Sequence, residues 1–295
     1  MQLDADNSDR VLVLGATGML GHRLVQVLAD SFEVHGTVRN LESARRHQLP
    51  AQLHDFDACT PERLTELLAS VQPVAVINAI GLVKQLEEAS RPIPAIELNA
   101  AFPHRVAAAC EAAQLRVIHI STDCVFSGEL PAPASYGEED VPDARDLYGR
   151  TKLLGELAAP ALTLRTSIIG WELERSIGLL GWFASQSGER LSGFTNAVFS
   201  GLTTTALARV IAVVIGKHRD LSGLYHVSAQ PISKFDLLLA LRDVLNLECD
   251  IQPVQEPQIN RALDSARFRA TTAIAIPSWG EMLEEYGRSQ ANVES

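Results

Sequence analysis

Residues 11–28 read VLVLGATGMLGHRLVQVL, and this stretch decides the fold. Four apolar residues in a row predict a strand covered on both faces, as in a parallel sheet packed between helices. Glycines follow at 15, 18 and 21, and then apolar residues spaced three and four apart, the pattern of a helix with one buried side. Three glycines at this spacing are a weak signal alone; a strand before them and a helix after them supply the context that a dinucleotide-binding loop requires. Its physical basis is the close approach of a pyrophosphate to a helix N-terminus, where unpaired amides and the helix dipole favour an anion. Gly15, Thr17, Gly18, Met19, Leu20 and Gly21 are the residues this reading places against the cofactor.

Outward from the loop the alternation continues. Strands are predicted at 11–14, 33–37, 52–54, 74–78, 116–121 and 162–167, with helices at 20–28, 61–70, 95–113 and 148–157. This predicts an α/β chain, a Rossmann-type doubly wound parallel sheet with a smaller C-terminal substrate-binding region. The nucleotide-binding domain is expected over 11–170. Past residue 170 glycine and serine become frequent, and 171–288 is expected to be mainly substrate-binding, with some segments returning to the first domain. A last short helix is predicted around 280–286, and residues 1–10 and 289–295 are expected to be loose tails.

Composition narrows the function. With 295 residues and 46% apolar content the chain is not a disordered one. Twenty-five basic residues against 36 acidic ones leave a net charge of −11, which argues against a nucleic-acid partner, because phosphate neutralisation needs a basic surface. A phosphate-bearing ligand must be met locally. Cys59, Cys110, Cys124 and Cys249 form no CxxC pair, so no metal site and no disulfide framework is signalled. The acidic start MQLDADNSDR lacks the pattern of a secretory signal, and no apolar run approaches the ~18 residues of a membrane span. A cytoplasmic protein without a membrane partner is expected. Glu138 and Glu139 form an adjacent acidic pair that could hold a cation weakly.

Two further segments carry chemistry. GTVRN at 36–40 puts Arg39 where a NAD site has an acid for the ribose hydroxyl. Arg39 would instead pair with a 2′-phosphate, so NADP(H) is the expected cofactor and NAD(H) the alternative. In LYGRTKLLGE (147–156), Tyr148 and Lys152 stand four apart on one helix face. An ammonium beside a phenol stabilises the phenolate, so Lys152 is expected to lower the pKa of Tyr148 and let it exchange a proton near neutral pH. The preceding VIHISTDCVFSG (117–128) is an apolar strand ending in Ser121, Thr122 and Asp123 at the sheet edge where such folds bind ligands.

GATGMLG, INAIG (77–81), LNA (98–100), STDCVFSG, YGRTK and LRTSIIG (164–170) together resemble the extended short-chain dehydrogenases/reductases. STD-VF-G followed by YG-TK-GE is most similar to their dTDP-4-dehydrorhamnose reductase group. The resemblance implies a catalytic triad of Thr122, Tyr148 and Lys152, with hydride passing from nicotinamide to a sugar carbonyl while Tyr148 gives the proton. By the same resemblance Lys152 would hold the nicotinamide ribose, Asp55 and Phe56 would flank the adenine, Ala79 and Gly81 would line the cleft, and Asn99 would sit behind it. The substrate is expected to be a nucleotide-diphosphate sugar, with Lys84, Asp123, Asn196 and Arg261 as candidate contacts and Gln85 beside Lys84; Arg267 and Arg269 follow Arg261. A homodimer is the family expectation. Cys124 stands where dehydratases of the superfamily carry a glutamate, and Arg39 counts against a NAD-dependent epimerase. Reduction of a 4-keto-6-deoxy sugar is the leading reading, with epimerase or dehydratase chemistry, or a non-catalytic NADP-binding regulatory subunit, as alternatives.

Overall fold

The computed structural model of the protein describes residues 9–291 apart from Pro61, Gln85 and Arg175. The expectations for Gln85, for the first helix position at 61 and for most of the two tails therefore lie outside the described residues. Six parallel strands, β1 (Arg10–Leu14), β2 (Glu33–Val38), β3 (Gln52–Asp55), β4 (Ala75–Asn78), β5 (Arg116–Thr122) and β6 (Leu162–Thr166), form the central sheet with the strand Gly223–His226. Its order is Gly223–His226, β6, β5, β4, β1, β2, β3. The strand order reverses between β1 and β4, which are paired with Leu14 beside Asn78. Chain direction therefore splits there, and the carboxyl ends of both strands open on one crevice.

Helices cover both faces. On one, α1 (Gly21–Leu28) packs against the helix Thr204–Lys217; Leu24 and Val25 of α1 and Leu207 and Ile211 of its neighbour are inaccessible to solvent. On the other lie α3 (Arg63–Val71) and α5 (Phe102–Ala112), burying Leu64, Leu68, Phe102 and Val106. Between β1 and α3 come β2, β3 and a short α2 (Leu41–Arg45), whose N-cap Asn40 accepts from the Ser43 amide at 2.9 Å.

The predicted helix over 95–113 is not uniform. It starts as α4 (Pro92–Ala95), widens into a π-helical segment Ile96–Ala101, and continues as α5. Asn99 supplies the reason: its fully buried amide bonds both Leu82 N (2.8 Å) and Leu82 O (3.1 Å) across to the loop after β4. Swelling the helix by one residue per turn brings that side chain to the loop, a use typical of π segments near functional sites.

After β6 the chain builds small sheets over the carboxyl edge: Leu202–Thr203 with Ile168–Ile169, Asp250–Val254 with Arg190–Phe194, and a three-stranded sheet of Ile232–Ser233, Ala197–Phe199 and Ile259–Asn260. The chain then returns to the main sheet, where Thr204–Lys217 packs on α1 and Gly223–His226 pairs with β6. Several boundaries differ from expectation. Arg10 already belongs to β1, the helix predicted over 148–157 runs Leu147–Leu154, and the last helix runs Trp279–Ala291 rather than stopping near 286, where Met282, Leu283 and Tyr286 are buried and Tyr286 Oη donates to Ile169 O at 2.9 Å.

Candidate active site

The crevice at the strand reversal is a cleft of about 380 Å³. Its floor is the loop after β1, where Gly15 adopts φ +87 and a side chain at Gly21 would run into the Gly15 backbone. Gly18 faces open space apart from the Gly15 carbonyl, so bare backbone is presented to whatever enters. Opposite, a side chain at Gly81 would meet Asn99 Oδ1 at 3.1 Å and come within 3.9 Å of Lys152 Nζ. Gly18, Met19, Leu20, Ala79, Gly81, Tyr148 and Lys152 lie on the cleft wall, and the bare backbone at Gly18 and Gly81 leaves room for a pyridine dinucleotide.

The triad candidates come together at its far wall. Thr122 ends β5, and Tyr148 and Lys152 lie on α6 (Leu147–Leu154). Asp146 starts α6 as its N-cap, accepting from Gly149 N at 2.8 Å. Gly149 has no side chain because a Cβ there would collide with the Cys124 carbonyl, so α6 sits directly on the end of β5. Thr122 Oγ1 donates to Asp123 Oδ1 at 3.2 Å and accepts from Cys124 N at 3.1 Å. Lys152, almost wholly buried, donates to Ile120 O at 2.7 Å.

The electrostatics differ from expectation in one respect. Burial pushes the Tyr148 phenol up, with Cys124 adding to the rise and a hydrogen bond with Thr122 opposing it. Lys152 is turned to a backbone carbonyl, and its own burial holds it down at about 8, against the pull of Glu156. The expected lowering of Tyr148 by Lys152 is therefore not the balance of this protein: desolvation outweighs it. Burial likewise raises the Asp123 carboxyl, and drives the Cys124 thiol to about 12.

Several predicted contacts stand elsewhere. Lys84 lines the cleft but is paired with Asp146 at 2.6 Å. Arg39 is exposed directly after β2. Thr17 is half-buried in the glycine loop, outside the cleft wall. Asp55 closes β3 and faces Arg63 at 3.6 Å. The Phe56 ring is buried against Phe102 at 6.1 Å, so Phe56 offers an adenine its backbone and not its ring. Asn196 is exposed in a turn and Arg261 is committed to Phe126 O (2.9 Å) and Ser127 O (3.1 Å); neither lines the cleft. Arg269 turns to Ser265 Oγ at 2.6 Å. Arg267 neutralises the acidic pair, reaching Glu139 at 2.8 Å and Glu138 at 3.6 Å.

Sequence reading missed two groups. Glu156 accepts a fork from Arg165, both bonds 2.7 Å, and a bond from Ser121 Oγ at 2.6 Å, a buried ion pair behind Lys152 that the GE of LYGRTKLLGE could have signalled. Glu172, Ile177 and Gly178 also line the cleft, where Glu172 Oε2 accepts from Ile177 N and Gly178 N, each at 2.8 Å.

Comparison with known proteins agrees with this geometry. The chain is 32% identical over 233 residues to the Probable low-salt glycan biosynthesis reductase Agl14 of Haloferax volcanii (74% of each chain). It is 26% identical to the dTDP-4-dehydrorhamnose reductase of Escherichia coli (91% of this chain, 94% of that one). It is 30% identical to Methionine adenosyltransferase 2 subunit beta of Danio rerio (81% and 74%). Among solved structures, the dTDP-4-dehydrorhamnose reductase of Bacillus anthracis in complex with NADP shares the fold, with a TM-score of 0.79 over 98% of this chain and 100% of that one at 22% identity. The family model described as RmlD substrate binding domain matches residues 9–291, and the chain belongs to that family.

Proposed function

We propose that the protein is an NADP-dependent reductase of a 4-keto-6-deoxy nucleotide sugar. The observation that carries this reading is the meeting, in one cleft, of a bare glycine loop with Thr122, Tyr148 and Lys152. Bound NADPH would supply the hydride. Thr122 and Tyr148 hold the substrate carbonyl oxygen, and Tyr148 gives it a proton as the alcohol forms. A phenol raised by burial stays protonated across the neutral range, so the proton-bearing form is the one present when substrate arrives. Lys152 orients the nicotinamide ribose, and Arg39, with Arg45 and Arg46 behind it, meets the 2′-phosphate. Cys124 supports reduction over elimination, because a thiol held near 12 cannot replace a carboxylate as acid and base.

The reading includes a homodimer and a cytoplasmic location, where nucleotide sugars and NADPH are made. Ile93 and Leu154, 71% and 65% exposed, lie on the packed helices α4 and α6 and suit a dimer contact. Light scattering tests it.

The direct test mixes purified protein and NADPH with dTDP-4-keto-6-deoxyglucose or its UDP counterpart and follows reduced-cofactor absorbance. Consumption with one sugar is expected, falling 10²–10⁴-fold in Tyr148→Phe at unchanged NADPH affinity. The likeness to Methionine adenosyltransferase 2 subunit beta favours a second reading, a regulatory subunit that binds NADP without turnover. Tight NADPH binding with no consumption on any keto sugar selects it.

A further inference from the structure

A nucleotide-sugar reductase brings two diphosphates into one cleft. The cofactor's meets the bare backbone of the glycine loop, and the substrate's needs a cation of its own. The arginines that the sequence offered for it are engaged elsewhere: Arg261 with Phe126 O and Ser127 O, Arg269 with Ser265 Oγ, and Arg267 with Glu139 and Leu224 O. Among the described residues, four charged side chains line the cleft, namely Lys84, Asp123, Lys152 and Glu172. Of the two cations, Lys152 is buried, turned to Ile120 O and one of the triad candidates. Lys84 is the other.

The place of Lys84 is set from two sides. Asn99 grips the loop after β4 at Leu82 N and Leu82 O, two residues before Lys84, and Asp146 Oδ2 meets Lys84 Nζ at 2.6 Å. The other oxygen of Asp146 caps α6 by accepting from Gly149 N. The carboxylate that holds the ammonium is therefore itself fixed, two residues before Tyr148 in the chain. In a nucleotide sugar the diphosphate is bonded to the sugar ring. A carbonyl held at Thr122 and Tyr148 thus leaves the diphosphate one ring away, on this side of the cleft and not at the glycine loop. Lys84 suits it chemically as well. An ammonium has three donors, and among the described residues Asp146 takes one of them. Its bonds to a phosphate oxygen, with both partners charged, are stronger than those to a neutral sugar hydroxyl. The Lys84 side chain is 53% exposed, so its pair with Asp146 contributes little to the fold and gives way readily to a doubly charged ligand. We propose that Lys84 anchors the diphosphate of the substrate. This rests on the reductase reading.

The experiment is calorimetric binding to protein loaded with NADP⁺, which has no hydride to give. The probes are dTDP-4-keto-6-deoxyglucose, bare dTDP and the UDP forms of both. Lys84→Met is expected to weaken the sugar nucleotide and the bare diphosphate alike, each by about tenfold or more, with Lys84→Arg retaining most of both affinities. NADP⁺ affinity and melting temperature are expected to stay as in the wild type. A loss confined to the sugar nucleotide would place Lys84 on a sugar hydroxyl, a loss of NADP⁺ affinity would place it on the cofactor, and no loss would remove it from the site; each overturns the inference and leaves the reductase reading standing. So would wild-type protein that binds the sugar nucleotides but neither bare diphosphate. Failure of the wild-type protein to bind any of the four probes would overturn both.

Discussion

Lys152 is the group in the cleft most exposed to a change of pH. Burial holds its ammonium at about 8, well below an ordinary lysine, so the charge proposed to orient the cofactor is present below that pH and lost above it. The alkaline limb of kcat/KM for NADPH oxidation is therefore expected to fall through an apparent pKa near 8. A profile flat to pH 9.5 would contradict this. Arg39 stands exposed directly after β2, and the role proposed for it is selectivity for the 2′-phosphate. Charge-assisted bonds to a phosphate are worth about 1.5–3 kcal/mol, so Arg39→Ser should weaken NADPH roughly 10- to 100-fold while leaving NADH unchanged, as read by fluorescence titration. At this scale the sequence was legible where residue type and spacing determine position, as for Thr122, Tyr148 and Lys152, which meet at one cleft. It was illegible where packing decides. Nothing in the spacing says that the Phe56 ring turns into the core or that Arg261 is spent on Phe126 O and Ser127 O, and the sign of the Tyr148 shift depends on burial that no local pattern encodes.

Elements were legible in proportion to their regularity. Strands β1 to β6 fall within a residue or so of their predicted bounds because fully apolar runs such as VLVL and VAVI have one stable setting, whereas Gly223–His226, the seventh strand of the sheet, was not predicted. The helix over 95–113 was recognised but not its π segment, since that swelling answers a partner, the Leu82 backbone, nearly twenty residues away. The cleft residues Glu172, Ile177 and Gly178 were not singled out, because their stretch has no periodicity; side-chain bonds hold them. Besides the Glu172 bonds to the Ile177 and Gly178 amides, Glu174 accepts from Ser43 Oγ at 2.8 Å and meets His47 Nε2 at 3.3 Å, tying this strap to the α2 region. Cutting that tie leaves the core untouched. Glu174→Ala should therefore speed NADP⁺ release several-fold in stopped-flow displacement, with the melting temperature moving by under about 2 °C, in keeping with an exposed pair worth under about 1 kcal/mol. Equal release rates would show that the strap does not gate the cofactor.

At the scale of the molecule the two halves are one unit, because the chain leaves the sheet after β6 and returns to it at Gly223–His226. His226 marks the join. Its side chain is fully buried, with Nδ1 at 3.0 Å from Tyr136 O and Nε2 at 3.3 Å from the Arg165 guanidinium. Burial first, and Arg165 second, hold it down at about 4. His22, packed at the start of α1, is held down at about 4 by burial as well. Both imidazoles are neutral in the folded protein at pH 5, whereas in the unfolded chain they take up a proton below about 6.5. The unfolded state then binds more protons, so stability is complete above pH 6.5 and declines as the pH falls toward 4. Each histidine contributes about 2 kcal/mol of loss by pH 5, from about 1.4 kcal/mol per pH unit. Burial holds His119 well below the ordinary value too, so urea midpoints measured at pH 7.5 and pH 5 should differ by an amount equivalent to more than about 4 kcal/mol in the wild-type protein. His226→Gln, which keeps a donor for Tyr136 O and cannot titrate, should cut that difference by about 2 kcal/mol even though it lowers stability at both pH values. An undiminished difference would mean that His226 is protonated within the fold, and that Arg165 is not its neighbour in solution.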